Sequence, residues 1–355
     1  MNLSKYQHRI QQLQSMMSQN GVDFFLIQSP ANRFYLSGFE LFDPQCNESS
    51  GYLIISKDKT YLLTDPRYQD TAKQHSSINE IFIYSADKFK KINEFLKKIG
   101  VKSLAFEPQW MKFDFFQSLS REFDLKPVQN LVESLRMIKD AEEIRLIEKS
   151  CQLNHHVFRL LEKIIEPGIS ETEVAWRAEK YFREHGASGL SFSTIVAAGK
   201  NAAQPHAIPR NRPIPEETPL LIDMGCRLDD YCSDQTRTFW VGSTPTRKFM
   251  EVKDLVMEAQ NIAIMEIGPG MPIREAYFLA RSFFEKHKVH EHFTHALGHG
   301  IGLETHEPPS VGPRTTGTFK AGMIISVEPG LYYPDWGGVR WEYMVLITDN
   351  GARIL

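Results

Sequence analysis

Residues 219–242 read PLLIDMGCRLDDYCSDQTRTFWVG. Two strand-like runs flank the polar segment Arg227-Leu228-Asp229-Asp230, the pattern of a β-hairpin. Asp223 follows the apolar Leu220-Leu221-Ile222, and Asp234 stands equally far beyond the turn. If the ribbon closes there, the two carboxylates sit opposite each other on one face. Residues 326–348, SVEPGLYYPDWGGVRWEYMVLIT, repeat the arrangement, with Glu328 and Glu342 symmetric about Asp335.

An acid in an apolar strand is costly to bury as an ion, and like charges opposed across a sheet repel. Four such acids, ionised and unpaired, would work against the core they sit in. A pair of divalent cations removes the conflict. Oxygen-rich donors suit Mn²⁺, Mg²⁺, Co²⁺ or Zn²⁺, and one imidazole tilts the choice toward transition metals. FTHALGHGIGLETHEPP, residues 293–309, offers His295, His299 and His306 among glycines that let the backbone approach a site closely. His206 lies in the loop GKNAAQPHAIP. Histidines not spent on metal are available for proton transfer or oxyanion stabilisation.

The 355 residues are 42 % hydrophobic and 24 % charged, the balance of a globular protein with one large or two medium domains. A net charge of −3 makes no case for nucleic acid or an anionic membrane surface. No stretch approaches the ~20 apolar residues of a membrane span. The N-terminal segment reads as an amphipathic helix (Ile10, Leu13, Met17) stopped at Gly21, not as a secretory signal. Cys46, Cys151, Cys226 and Cys232 show no CxxC spacing, which suggests reduced thiols and a cytoplasmic protein.

Residues 1–130 alternate strand and helix patterns: 23–29, the pair 51–56 and 60–65 as a hairpin, then INEIFIYS and KSLAFEP. They read as an α/β domain with a supporting or oligomerising role. The domain change falls between about 125 and 140, which leaves 131–355 as the second domain. There Asp140 and Glu143 form a capping-box start to a helix with Ile144, Ile147, Cys151, Val157, Leu161 and Ile164 on its apolar side. IEPGISETEVAWRAEKYF and IGPGMPIREAYFLARSFF, offset by 102 residues, mark an internal duplication. Two similar halves would leave a cleft between them for a site.

GKNAAQPHA, LIDMGCRLDDYCSDQTRTF, HALGHGIGLETHEPP, AGMIISVEPGLY and GVRWE occur in this order. The pattern resembles the pita-bread metallopeptidases: prolidase, aminopeptidase P and methionine aminopeptidase. NRFYLSGF and LLTDPRY resemble the N-terminal domain of the first two. The resemblance implies an α/β N-terminal domain and an α+β pita-bread catalytic domain with a pseudo-two-fold repeat. It implies Asp223, Asp234, His299, Glu328 and Glu342 as ligands of two divalent ions, manganese first, cobalt or zinc as alternatives. Asp234 and Glu342 would bridge both ions. Glu328 would also shuttle the proton. His206 and His306 would steady the substrate carbonyl, His295 would line the pocket, and Arg340 would orient the bridging ligand. Arg314 could clamp a peptide carboxylate.

The implied reaction is removal of an N-terminal residue that precedes proline, by a homodimer. Alternatives are a prolidase restricted to Xaa-Pro dipeptides, an inactive peptide-binding module, and a creatinase-like hydrolase. The family commonly has Arg-Ile-Glu-Asp where this chain has Arg340-Trp341-Glu342-Tyr343. That departure puts the hydrogen bonding behind Glu342 in question.

Overall fold

The computed structural model describes residues 3–43 and 48–355. It divides into two compact units, Met1–Arg136 and Met137–Leu355. Among the described cysteines, Cys151, Cys226 and Cys232 are buried free thiols; Cys46 lies outside the described residues.

The first unit is built on a mixed six-stranded sheet, in the order Glu80–Ile83, Thr60–Thr64, Tyr52–Ser56, Phe24–Ile27, Ser103–Phe106, Asp124–Pro127. The expected hairpin is there: Tyr52–Ser56 and Thr60–Thr64 pair antiparallel. Leu26, Ile54, Leu63 and Leu104 pack with Ile92, Leu96, Phe115 and Leu119 from the helices Lys88–Lys98 and Phe113–Ser120. At the edge of this core, Glu107 accepts hydrogen bonds from the Gln28 and Ser29 backbone amides, at 2.6 and 2.7 Å, and from Asn32 Nδ2. It thereby holds the entry to the helix Pro30–Ser37.

The second unit repeats one design twice. Its first half carries helices Ala141–Leu161 and Glu171–Glu184 over the strands Ile195–Ala198, Thr218–Met224 and Gln235–Val241. Val157, Phe158, Val174 and Phe182 pack on Val196, Leu220 and Ile222. The second half carries helices Arg247–Glu266 and Ile273–Lys286 over a five-stranded sheet that includes Ile324–Val327 and Tyr343–Thr348. Val256, Ala280 and Phe284 pack there on Ile325, Val327, Val345 and Ile347. The two Pro-Gly turns are equivalent: the Gly168 amide donates to Ile214 O and the Gly270 amide to Phe319 O, each at 2.9 Å. Asp140 and Glu143 form a complete capping box. The helix they open ends at Leu161, short of the expected Ile164, and residues 162–164 continue as turns.

The two carboxylate ribbons differ in register. In the second, Gly330 pairs with Arg340 and Val327 with Tyr343. Glu328 and Glu342 therefore stand opposite each other, as expected, in a gap between two ladders. In the first, Asp223 pairs with Thr236 and not with Asp234. The ribbon closes one step later than symmetry suggested, on a two-residue turn in which Asp229 and Asp230 have φ of 49° and 71°. The partner shift is two residues, an even number, so Asp223 and Asp234 keep a common face. The ladder breaks at Gly225, where a Cβ would lie 2.0 Å from Ser233 O. Gly225→Ala is expected to lower the free energy of unfolding by about 1–3 kcal/mol, the cost of forcing an atom into a filled space. Urea denaturation reads this, and an unchanged midpoint would contradict the close approach.

Candidate metal centre

Both ribbons point their acids into one cavity of about 960 Å³. Asp223, Asp234, His299, Glu328 and Glu342 all line it, together with His206, His295, His306 and Arg340. Donor atoms of Asp234, His299 and Glu342 lie within 4.8 Å of one another. His299 Nε2 is 3.6 Å from Asp234 Oδ2 and 3.4 Å from Glu328 Oε1.

The strand carrying Asp223 brings it to Arg340, whose Nη2 donates to Asp223 Oδ2 at 2.6 Å. Arg340 Nε donates to Thr236 Oγ1 at 2.9 Å, and that hydroxyl donates to Glu342 Oε2 at 2.8 Å. One buried arginine thus orients two acids, the second through a threonine. Ser326 Oγ donates to Glu328 Oε1 and accepts from the His299 amide. This contact needs Gly298, where a Cβ would lie 1.9 Å from Ser326 O.

The imidazole tautomers follow from their partners. A carbonyl can only accept, so His299 Nδ1, 2.9 Å from Gly300 O, carries the proton. That leaves the Nε2 lone pair facing Asp234 and Glu328, the arrangement of an oriented metal-binding histidine. His295 Nδ1 likewise donates to Ala296 O at 2.7 Å, and its Nε2 accepts from the Tyr332 hydroxyl at 3.0 Å. Burial lowers the pKa of both rings. Both nitrogens of His295 are thus engaged, and its ring lines the cavity. His206 and His306 are exposed at the cavity and present their rings to it. Arg314 is exposed and is not among the lining residues.

Thr236, Ser326 and Tyr332 complete the site without having been singled out in the sequence. Thr236 and Ser326 each lie two residues from an acid on the same strand face, a signal the alternation contained. Tyr332 reaches Arg340 Nη1 at 2.8 Å across its hairpin, a pairing visible only with the register.

The electrostatics oppose a site of carboxylates alone. Burial pushes the Asp234 carboxyl well above its ordinary range, and the charges of Glu342, Asp223 and Glu328 push it further. Glu342 is raised by burial and then by Glu328 and Asp223. Burial also raises Glu328, against the pull of His295 and Arg340. Asp223 Oδ1, Asp234 Oδ1 and Glu342 Oε1 are buried and accept no hydrogen bond from the described residues. Orphaned anionic oxygens beside an oriented imidazole lone pair are the donor set a divalent cation requires.

A model of metallopeptidase family M24 matches residues 145–349, and one of the Creatinase/Prolidase N-terminal domain matches residues 9–138. The chain belongs to metallopeptidase family M24. It is therefore a metal-dependent hydrolase, and the cavity described above lies within the matched span. An Xaa-Pro dipeptidase of Pyrococcus horikoshii is 34 % identical over 352 residues, 98 % of this chain and 96 % of the relative. The structure of an Xaa-Pro dipeptidase from Bacillus anthracis superposes with a TM-score of 0.92 at 32 % identity, covering 98 % of this chain and 97 % of the other. An X-Pro aminopeptidase from Thermotoga maritima gives a TM-score of 0.84 at 30 % identity, covering 94 % and 95 %. The α/β domain followed by a duplicated α+β domain is thus the architecture the motifs led us to expect.

The raised carboxyls give a signed prediction. A carboxyl whose folded pKa is raised contributes stability that is complete below its unfolded pKa, about 4, and is lost as pH rises through the folded value. With chelator present, thermal stability is expected to fall as pH rises above about 4. Mn²⁺ should flatten that slope, as should Asp234→Asn. Differential scanning calorimetry across pH checks this, and a flat profile in chelator would contradict the mutual repulsion.

Proposed function

We propose that this chain removes the N-terminal residue from peptides whose second residue is proline, using two divalent ions, manganese first. The relatives named for Xaa-Pro dipeptidase and X-Pro aminopeptidase activity support the substrate class. The lining of the cavity carries the choice of peptide length. Among its described residues the one guanidinium or ammonium group is that of Arg340, which is spent on Asp223, Thr236, Tyr332 and Pro205 O. Nothing there is built to neutralise the carboxylate of a dipeptide. The volume, about 960 Å³, lies at the upper end of the roughly 300–1,000 Å³ of small-molecule sites and leaves room beyond two residues.

In this reading Asp223, Asp234, His299, Glu328 and Glu342 hold the ions. Bound there, the ions would supply Lewis acidity and a nucleophile from water near neutral pH. Glu328 accepts the water proton and delivers it to the departing proline nitrogen, a role suited to a carboxyl raised by burial. His206 and His306 donate hydrogen bonds to the carbonyl oxygen as negative charge develops on it. Phe192, Ile195, Ala207, Pro209 and Pro308 form an apolar wall against which a proline ring packs and from which water is excluded. Proline makes a tertiary amide with no N–H, so recognition rests on this wall and not on a backbone hydrogen bond. We infer further that the chain works as a homodimer in the cytoplasm. The buried free thiols agree with a reducing compartment, and no helix among the described residues is long and apolar enough to cross a membrane.

Asp234→Ala or Glu342→Ala should abolish turnover while the chain stays folded by circular dichroism; near-normal activity in either would contradict the assignment. Ala-Pro, Ala-Pro-amide and Ala-Pro-Ala, compared at matched concentration with Mn²⁺, test the length preference. An unpaired carboxylate drawn into the cavity costs about 1–3 kcal/mol, so kcat/KM for the dipeptide should fall roughly tenfold or more below the other two. The dipeptidase names of two relatives favour a second reading, prolidase activity, and a faster dipeptide would establish it.

A further inference from the structure

Trp341 and Tyr343 flank Glu342 at the two places where this chain departs from the pattern it resembles. In extended backbone, neighbours on either side of a residue point away from its face. Glu342 faces the cavity, and the two aromatic rings converge behind it on a single guanidinium. Arg237 Cζ lies 4.6 Å from the Trp341 ring centre and 4.2 Å from that of Tyr343. Phe158 adds a third ring at 6.0 Å. Arg237 Nη1 donates to Thr236 O at 2.8 Å and to Glu342 O at 2.5 Å, and the Glu342 amide itself donates to Thr236 O at 3.2 Å. The guanidinium therefore ties the backbone of the strand that follows Asp234 to the backbone of Glu342. Among the described residues no carboxylate pairs with Arg237. Its charge is met by ring faces and carbonyl oxygens, which aromatic quadrupoles and backbone dipoles can supply.

We propose that Arg237, clasped between Trp341 and Tyr343, is a positioning residue that locks Glu342 to the Thr236 strand and so sets the Glu342 carboxylate for ion binding. The aromatic pair takes over the anchoring that an acid at position 343 would otherwise provide. A planar fork that stacks and donates is needed for this; an ammonium does neither in the same way. The proposal rests on the reading of Glu342 as an ion ligand.

The test is a Mn²⁺ titration of the full chain after removal of metal with chelator, following free Mn²⁺ by electron paramagnetic resonance. Arg237→Lys and Tyr343→Leu should each weaken binding by about tenfold or more. Tyr343→Phe, which keeps the ring, should rescue binding to near that of the unaltered chain. Unfolding curves in chelator accompany each variant. Lower stability with unchanged Mn²⁺ affinity in Arg237→Lys and Tyr343→Leu would overturn the proposal, because the clasp would then only hold the fold. If Tyr343→Leu does not fold, Arg237→Lys, which retains the charge, decides alone. Glu342→Gln is the control. Unaltered affinity in that variant would overturn the ligand reading, whereas weakened binding there with unaffected Arg237→Lys and Tyr343→Leu would overturn the clasp alone.

Discussion

Burying like charges together is the constraint on which the second unit depends. Asp223, Asp234, Glu328 and Glu342 share one cavity, and three of their oxygens face it with no hydrogen-bond donor. Left as anions, such groups raise the free energy of the folded chain; protonated, they lose their use as ligands. A bound cation reverses the sign of the whole arrangement, because the field that destabilises the acids is the field that attracts the ion.

The rest of the site is arranged to keep that field focused. Arg340 offsets part of the negative charge, held by hydrogen bonds to Asp223, Thr236 and Tyr332 with its Nε 3.9 Å from Glu328 Oε2. Thr236 passes its orientation on to Glu342 without adding charge. The imidazole tautomers are set by backbone carbonyls at Nδ1, which leaves His299 Nε2 facing Asp234 and Glu328, whereas His295 Nε2 is taken by the Tyr332 hydroxyl. Apolar residues such as Phe192, Ile195, Ala207 and Pro308 also line the cavity, so the polar groups act in a medium that screens them weakly.

The duplicated framework makes this affordable. Each half packs two helices on its own antiparallel sheet, with separate apolar clusters, so the strain of the acids falls on ribbons anchored at both ends by well-packed strands. The breaks in the ladders at Gly225 and at Glu328–Pro329 are where Asp234, Glu328 and Glu342 leave regular pairing, while Asp223 stays in register with Thr236. Such irregularities re-aim side chains without dissolving the sheet around them.

The sequence by itself determined the alternation of strands and helices in the first 130 residues, the duplication, the two ribbons, and which acids were out of place in apolar surroundings. Those signals are local: periodicity, turn chemistry and the cost of burying charge are legible within a few residues of one another. Tertiary structure alone decided that Asp223 pairs with Thr236, that His295 is fully engaged while His206 and His306 are open to the cavity, and that Arg314 stays outside its lining. It also decided that Arg237 sits between Trp341 and Tyr343. The last of these depends on contacts between residues far apart in the chain. A hydrogen-bond partner or a ring face more than 100 residues away leaves no periodic trace in the order of the amino acids.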